Sequence, residues 1–315
     1  MVKVIKYIII TPVRNEEKYI ERTIKSVISQ SILPHKWIIV DDGSTDKTPL
    51  IVQNLTQRFK FVTLAKKPIN NSQGEGKKRY ANRLSEGKVP KAFNYGFNLI
   101  ENQDYDFVVK LDGDVSFEPD YFEKIFYQFR KNQRLGIAGG HCYQLKKGRL
   151  RMEKVPRAHV RGATKVYRRK CFAEIGGIME VFGWDTIDEL KAQMNGWETN
   201  SFVELKVVHH RPTTAAAGLL RGKVLQGQGA YFLGYHPLFI LVRSIKNMTA
   251  RPVVIGGVAM LWGFFVGYVN GVKQFEDINV KEYLRRTQRA RLFGWLRLNN
   301  IKRGKKVPKK ELKAS

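Results

Sequence analysis

A chain of 315 residues with 43% hydrophobic side chains can bury a substantial core, which excludes global disorder and allows one large α/β domain with an appendage. Its 56 Lys+Arg against 28 Asp+Glu leave a formal charge of +28, so it attracts polyanions: nucleic acid, anionic lipid headgroups or phosphorylated substrates. The cysteines, Cys142 and Cys171, lie far apart without CxxC spacing, which excludes a cysteine metal framework and fits a reducing compartment.

The first apolar run, Tyr7 to Ile10, is too short for a secretory signal and leads into polar residues. Val4 to Ile10 reads as a buried strand, Glu16 to Ser31 as a helix, and Trp37 to Val40 as a second strand. Asp46 to Phe59 reads as a helix and Phe61 to Leu64 as a third strand. This alternation predicts a mostly parallel sheet with right-handed crossovers, in which ligands sit at the carboxyl ends of the strands. Residues 66 to 90 form a long polar loop. Lys91 to Ile100 then predicts a helix, Phe107 to Leu111 a strand, Pro119 to Phe129 a helix and Leu135 to Gly139 a strand. Residues 140 to 160 read as basic, hairpin-like segments, Lys170 to Ile175 and Ile187 to Met194 as helices, and Phe202 to Val208 as a strand. After Pro212 the composition changes, and Pro252 to Val272 holds no charged residue. That run has the length to span a bilayer but contains five glycines.

Four acidic or basic constellations carry the chemistry, three of them after strands and one at a helix start. In Val40-Asp41-Asp42-Gly43-Ser44-Thr45-Asp46, a carboxylate at a strand end can accept from a base N–H or a ribose hydroxyl, whereas Ser44, Thr45 and Asp46 read as helix caps. In Leu111-Asp112-Gly113-Asp114, side chains two apart on an extended segment point the same way, so Asp112 and Asp114 can face one Mg²⁺ or Mn²⁺. Asp185, Asp188 and Glu189 crowd a helix start. There they either compensate the helix dipole or, for Asp185 or Asp188, serve as a general base. The pair His209-His210 alternates faces, so one imidazole can reach the site, and Arg211 can contact phosphate. Thr11 to Glu16 opens a helix where backbone N–H groups can meet a nucleotide, and Lys91 can approach phosphate.

Together the segments Ile9 to Glu16, Ile39 to Asp46, Lys91 to Gly96, Lys110 to Asp114 and Gly162 to Gly177 resemble the family-2 glycosyltransferases, which have the GT-A fold. The resemblance covers residues 4 to 212 and implies an inverting single-displacement transfer from a nucleoside-diphosphate sugar, UDP- or GDP-linked. It implies that Thr11, Pro12, Arg14 and Glu16 line the nucleotide pocket with Lys91, and that Asp41 or Asp42 holds base or ribose. Asp112 with Gly113 would meet ribose or sugar, Asp114 the metal, and His209 would complete the metal shell. Where the family carries Glu-Asp before its base helix, this chain reads Trp184-Asp185; Asp185 is favoured as base and Asp188 is the alternative. The QxxRW signature of processive synthases is absent, which implies one sugar added at a time.

The expected organisation is therefore a GT-A domain over 1–212, an apolar helical region over 213–280 and a basic tail over 281–315. The apolar stretch and the tail, with Arg285, Arg286, Lys305 and Lys306, predict attachment to an anionic membrane surface on the cytoplasmic side, with a lipid-linked glycan as acceptor. A spanning helix over 252–272 is the alternative. Two other functions fit the sequence less well. A nucleic-acid-binding protein fits the charge but lacks a reading module, and acids at strand ends repel phosphates. An inactive GT-A scaffold acting as a membrane adaptor conflicts with the intact Asp114 and Asp185.

Overall fold

The computed structural model describes residues 4–68, 87–100, 103–146, 149–153, 155–211, 218–249 and 253–304. Most of the polar loop expected over 66 to 90 lies outside these residues, as do Lys305, Lys306, Lys309 and Lys310. The chain forms two compact units, 1–216 and 217–315.

The first unit begins β1 (Tyr7–Val13), α1 (Ile20–Ile28), β2 (Lys36–Asp41), α2 (Thr48–Arg58), β3 (Val62–Lys66), α3 (Lys88–Asn98) and β4 (Phe107–Leu111). It continues with β5 (Val115–Phe117), α4 (Tyr121–Lys131), β6 (Leu135–Lys146), β7 (Arg149–Met152) and β8 (Thr164–Arg168). It closes with α5 (Arg169–Glu174), α6 (Trp184–Met194) and β9 (Glu198–His209). The sheet runs β3-β2-β1-β4-β8-β6-β9-β5, with β7 paired to β6. The pairs within β3-β2-β1-β4 are parallel. Both faces of these strands are covered, which is why they read as continuous apolar runs. β1 alternates between two cores, sending Tyr7 and Ile9 to one and Ile8 and Ile10 to the other.

Beyond β4 the sheet departs from the mostly parallel expectation. β8 is antiparallel to both β4 and β6, β5 is antiparallel to β9, and only β6–β9 is parallel again. The sheet is therefore mixed. β5 and β8 escaped the sequence reading for different reasons. β5 spans only three residues. β8 reads Thr-Lys-Val-Tyr-Arg, and its lysine disguises a strand that is almost wholly buried.

The second unit is helical: α7 (Leu219–Phe232), α8 (Pro237–Met248), α9 (Ile255–Val269) and α10 (Ile278–Gly304). α10 runs across the boundary expected at residue 281. Glycines let α7 and α9 meet backbone to backbone: a Cβ on Gly227 would lie 2.0 Å from the Met260 carbonyl, and one on Gly263 2.1 Å from that of Val224. The apolar run expected over 252–272 becomes the 15-residue α9. At 1.5 Å per residue it is about 22 Å long, short of the roughly 30 Å hydrocarbon layer. Among the described residues no helix is long and apolar enough to cross a membrane, which corrects the spanning alternative.

Candidate active site

The carboxyl ends of β1, β2 and β4 each release a loop on the same edge of the sheet, and a cleft of about 350 Å³ opens there. The first two loops brace one another. Asn15, held at φ 55°, donates its backbone N–H to Ser44 Oγ at 3.0 Å, and its Oδ1 accepts from Thr45 N at 2.8 Å. Asp46 Oδ2 accepts from Glu17 N, and Thr48 Oγ1 from Glu16 N. Ser44, Thr45 and Asp46 thus fix loop shape rather than occupy the helix cap, since the N-cap of α2 is Lys47 and makes no side-chain capping bond. Gly113 lies against Val13 and Glu16, where a Cβ would sit 2.9 Å from Val13 Cγ1 and 3.4 Å from Glu16 Cγ.

At the cleft's centre, ligand atoms of Asp112, Asp114 and His209 all lie within 4.8 Å of one another. His209 belongs to the group because β9 runs antiparallel to β5 with His209 opposite Val115. Its Nε2 sits 3.2 Å from Asp114 Oδ2, and its buried Nδ1 has no partner among the described residues. Burial works against a charged His209, but the bond to Asp114 outweighs it and raises the imidazole above its ordinary value. His210 turns away, between Ser116 Oγ at 2.8 Å and Arg22 at 3.0 Å, so the alternation resolves in favour of His209.

Glu16 adds a third carboxylate beside the aspartates. Burial, with repulsion from Asp114 and Asp112, pushes it up to about 7 despite Arg211. Arg211 Nη2 stands 2.5 Å from Glu16 Oε2 and its Nε 3.6 Å from Asp114 Oδ2. Acids this crowded mark a place where positive charge is favoured. Two hard carboxylates with one imidazole fit a divalent cation such as Mn²⁺, a donor set Mg²⁺ shares less well because of the nitrogen. The Asp112 carboxylate is also tied by Lys110, a buried cation whose Nζ donates to the Gly162 carbonyl at 2.6 Å.

Gly162 links this cluster to α6. A Cβ there would meet the Trp184 ring at 2.9 Å and Asp185 Cβ at 3.8 Å. The Nζ atoms of Lys110 and Lys165 each lie 5.5 Å from the Trp184 ring centroid. Asp185, in the first turn of α6 and half-buried, stands beside Gly162, which ties it to Lys110 and Asp112, although it is not among the residues that line the cleft. Asp188 is 2% exposed, its oxygens accept from Lys165 Nζ at 2.7 and 3.0 Å and from Tyr167 Oη at 2.5 Å, and nothing of it reaches solvent-facing space. The alternative of Asp188 as base fails on this geometry: a base must meet the proton it removes.

Of the expected nucleotide-pocket residues, Pro12, Arg14, Glu16, Asp42, Asp112 and Gly113 line the cleft. Thr11 is fully buried and accepts from Trp37 Nε1 at 2.9 Å, so its hydroxyl is spent within the core. Asp41 is turned in as well, accepting from Ser44 N at 3.0 Å; Asp42, paired with Lys67 at 2.6 Å, is the member that faces the cleft. Lys91 lies outside the lining, one helical turn on from Lys88, which is in it. Lys88 falls in the loop expected over 66 to 90; α3 begins at Lys88, three residues before the expected start at Lys91, and brings it to the cleft.

A family profile described as Glycosyl transferase family 2 matches residues 8–179. A poly-β-1,6-N-acetyl-D-glucosamine synthase of Staphylococcus epidermidis is 30% identical over 129 residues, which are 40% of this chain and 26% of that protein. An uncharacterized glycosyltransferase of Haemophilus influenzae is 30% identical over 135 residues, 43% of this chain and 46% of that one. The matched part thus spans between a quarter and a half of these relatives' own length. Among solved structures, the mannosyltransferase PcManGT from Pyrobaculum calidifontis, in complex with GDP-Man and Mn²⁺, superposes with a TM-score of 0.52 at 14% identity, covering 94% of this chain and 81% of that one. TarS of S. aureus, in complex with UDP, gives 0.50 at 16% identity over 83% and 71%. At these identities the likeness shows the fold alone, and that fold is GT-A-like.

Proposed function

The chain belongs to glycosyl transferase family 2 and is a glycosyltransferase, and on that premise we propose an inverting, metal-assisted transfer of a sugar from a UDP- or GDP-sugar to a hydroxyl of a lipid-linked glycan. The observation that carries the proposal is the convergence of Asp112, Asp114 and His209 within 4.8 Å. These three would hold Mg²⁺ or Mn²⁺, which when bound offsets the charge that develops on the departing diphosphate. The nucleotide complexes of the two fold relatives support a nucleotide-sugar donor in this cleft.

Each residue then has a task. Asp42 accepts from the base or ribose, and Arg14 and Lys88 bring positive charge towards the diphosphate. Arg211 is held by Glu16 and Asp114 at the cleft's rim, where its guanidinium can meet a phosphate oxygen as donor binds. Asp185 takes the proton from the acceptor hydroxyl. The freed oxygen forms the new bond to the anomeric carbon, and the bond to the diphosphate breaks with its electrons leaving on the nucleotide. The helix N-terminus behind Asp185 stabilises its carboxylate until then.

The second unit supports a membrane surface as partner. α9 keeps Ile255, Val258, Trp262, Phe265 and Val269 outward at three- and four-residue spacing, each at least half-exposed. Five such side chains of roughly 200 Å² leave on the order of 500 Å² of apolar surface in water, enough to mark an interaction site. α8 adds Leu238, Leu241, Val242 and Ile245, with Lys246 beside them. Helices of this kind lie in the interface plane, and each cation near anionic lipid contributes about 1 kcal/mol. The cytoplasmic leaflet carries such lipid.

A panel of UDP- and GDP-sugars, tested by thermal shift with and without Mn²⁺, examines the core of this reading. One donor should raise Tm only when Mn²⁺ is present, and Asp114→Ala should abolish the increment. Equal stabilisation of wild type and Asp114→Ala would sink the metal assignment.

A further inference from the structure

The β6–β7 hairpin has two unlike faces. In its antiparallel register Tyr143 pairs with Met152 and Leu145 with Leu150, so these four share one face. Gln144 pairs with Arg151, and Arg149 shares its face, which puts these two arginines on the other. Leu145, Leu150 and Met152 are 57%, 48% and 48% exposed. Contiguous apolar residues left uncovered on a strand pair mark a contact surface.

Its position gives that surface a meaning. β6 also pairs with β9, and Gln144 stands opposite His209. From there the hairpin projects two to three residues, roughly 7–10 Å at strand spacing. Gln144, on the arginines' face, connects back to the metal cluster's neighbours: its Nε2 donates to Glu153 Oε1 at 2.8 Å, Arg161 Nε lies 3.0 Å from Glu153 Oε2, and Gly162 follows Arg161. Gly162 is the residue that joins Lys110 and Asp112 to Asp185. So the apolar face points away from the metal cluster while Arg149 and Arg151 stand on the side that leads to it.

We propose that this hairpin is the acceptor's lipid subsite: Leu145, Leu150 and Met152 lie against the hydrocarbon of a lipid-linked acceptor, and Arg149 and Arg151 take the phosphate that joins lipid to glycan. The inference rests on the glycosyltransferase reading and adds the contact that selects the acceptor. An amphiphile with an anionic head and an apolar tail is the one occupant that satisfies both faces at once. A second copy of this chain would set +28 against +28 and leave the arginines opposed by their own kind.

Both native cysteines are buried, so a thiol-directed, polarity-sensitive fluorophore on Leu150→Cys reports the hairpin alone. The labelled full chain is titrated with phosphatidylcholine vesicles, the same vesicles doped with polyprenyl phosphate or with phosphatidylglycerol, and inorganic phosphate. Emission should rise with polyprenyl phosphate and stay flat with phosphatidylcholine alone and with inorganic phosphate. Arg149→Gln/Arg151→Gln in the labelled chain should raise the half-maximal polyprenyl phosphate concentration by at least about tenfold, since both charge-assisted contacts are lost. A label on Leu145→Cys should report the same. Flat emission in every vesicle overturns the proposal, as does a rise equal to that with phosphatidylcholine alone or with phosphatidylglycerol, which would make the hairpin a general membrane contact. Donor hydrolysis by the wild-type protein, measured separately, decides the glycosyltransferase reading, so the two can fail independently.

Discussion

Replacing Lys165 by Met tests the conclusion that Asp188 belongs to the framework. Lys165 is completely buried on β8, and its Nζ donates to the Asp185 carbonyl at 2.6 Å and to Asp188 at 2.7 and 3.0 Å, with Glu189 Oε1 3.2 Å away. Met fills the stem's volume but removes the ammonium. Asp188 is left with only the Tyr167 hydroxyl and the Glu189 amide. Removing one partner of a buried ion pair costs about 3–5 kcal/mol, a large share of the ~5–15 kcal/mol that holds a domain together. For a unit of this size that corresponds to a Tm lowered by roughly 6–20 °C.

The pH dependence supplies the second readout. Burial already pushes the Asp188 carboxyl up, and Lys165 opposes that rise. Without Lys165 the carboxyl rises further, so in the variant the folded state favours the protonated form. A carboxyl raised in the folded state contributes stability below its ordinary value and loses it as pH rises through the folded one. The deficit of Lys165→Met relative to wild type should therefore be largest at neutral pH and shrink on acidification, measured by urea unfolding followed by circular dichroism. A loss under about 1 kcal/mol at neutral pH, or a deficit that grows on acidification, would refute the buried-network argument.

Asp185→Asn should lower the turnover rate by roughly 10²–10⁴-fold while donor still raises Tm, whereas Asp188→Asn should lower Tm first; the reverse pattern would exchange their roles. Mn²⁺ affinity, read by calorimetry, should fall as pH drops through the raised value of His209, because a protonated imidazole cannot bind metal; a flat profile would remove His209 from the ligand set. His159 Nδ1 lies 2.9 Å from Glu189 Oε2, and although burial opposes protonation the carboxylate raises its value above the ordinary one. Its contribution is present in full below about pH 6.5 and lost as pH rises through the folded value. His159→Gln should thus destabilise most in acid, and a deficit that widens above pH 8 would contradict the pairing.

Local chemistry in the sequence determined the parallel half of the sheet and the edge on which the site lies. Apolar runs, each broken by a turn and an acid, mark β1, β2 and β4, and these runs are legible because burial on both faces demands them. The Asp-Gly-Asp after β4 was legible as a pair of carboxylates facing one point, although a turn at Gly113 and Asp114, not an extended segment, brings them there. Tertiary structure alone decided which way individual groups face. Lys67 pairs with Asp42 from 25 residues away while Asp41 is turned in, and Lys88 joins the cleft because α3 begins there, three residues before the expected start. His209 joins Asp114 across 95 residues, and Asp188 is claimed by Lys165 across 23, on a strand whose charges concealed it. Periodicity and capping report interactions a few residues apart, while a buried charge is identified by a partner that only the folded chain brings near.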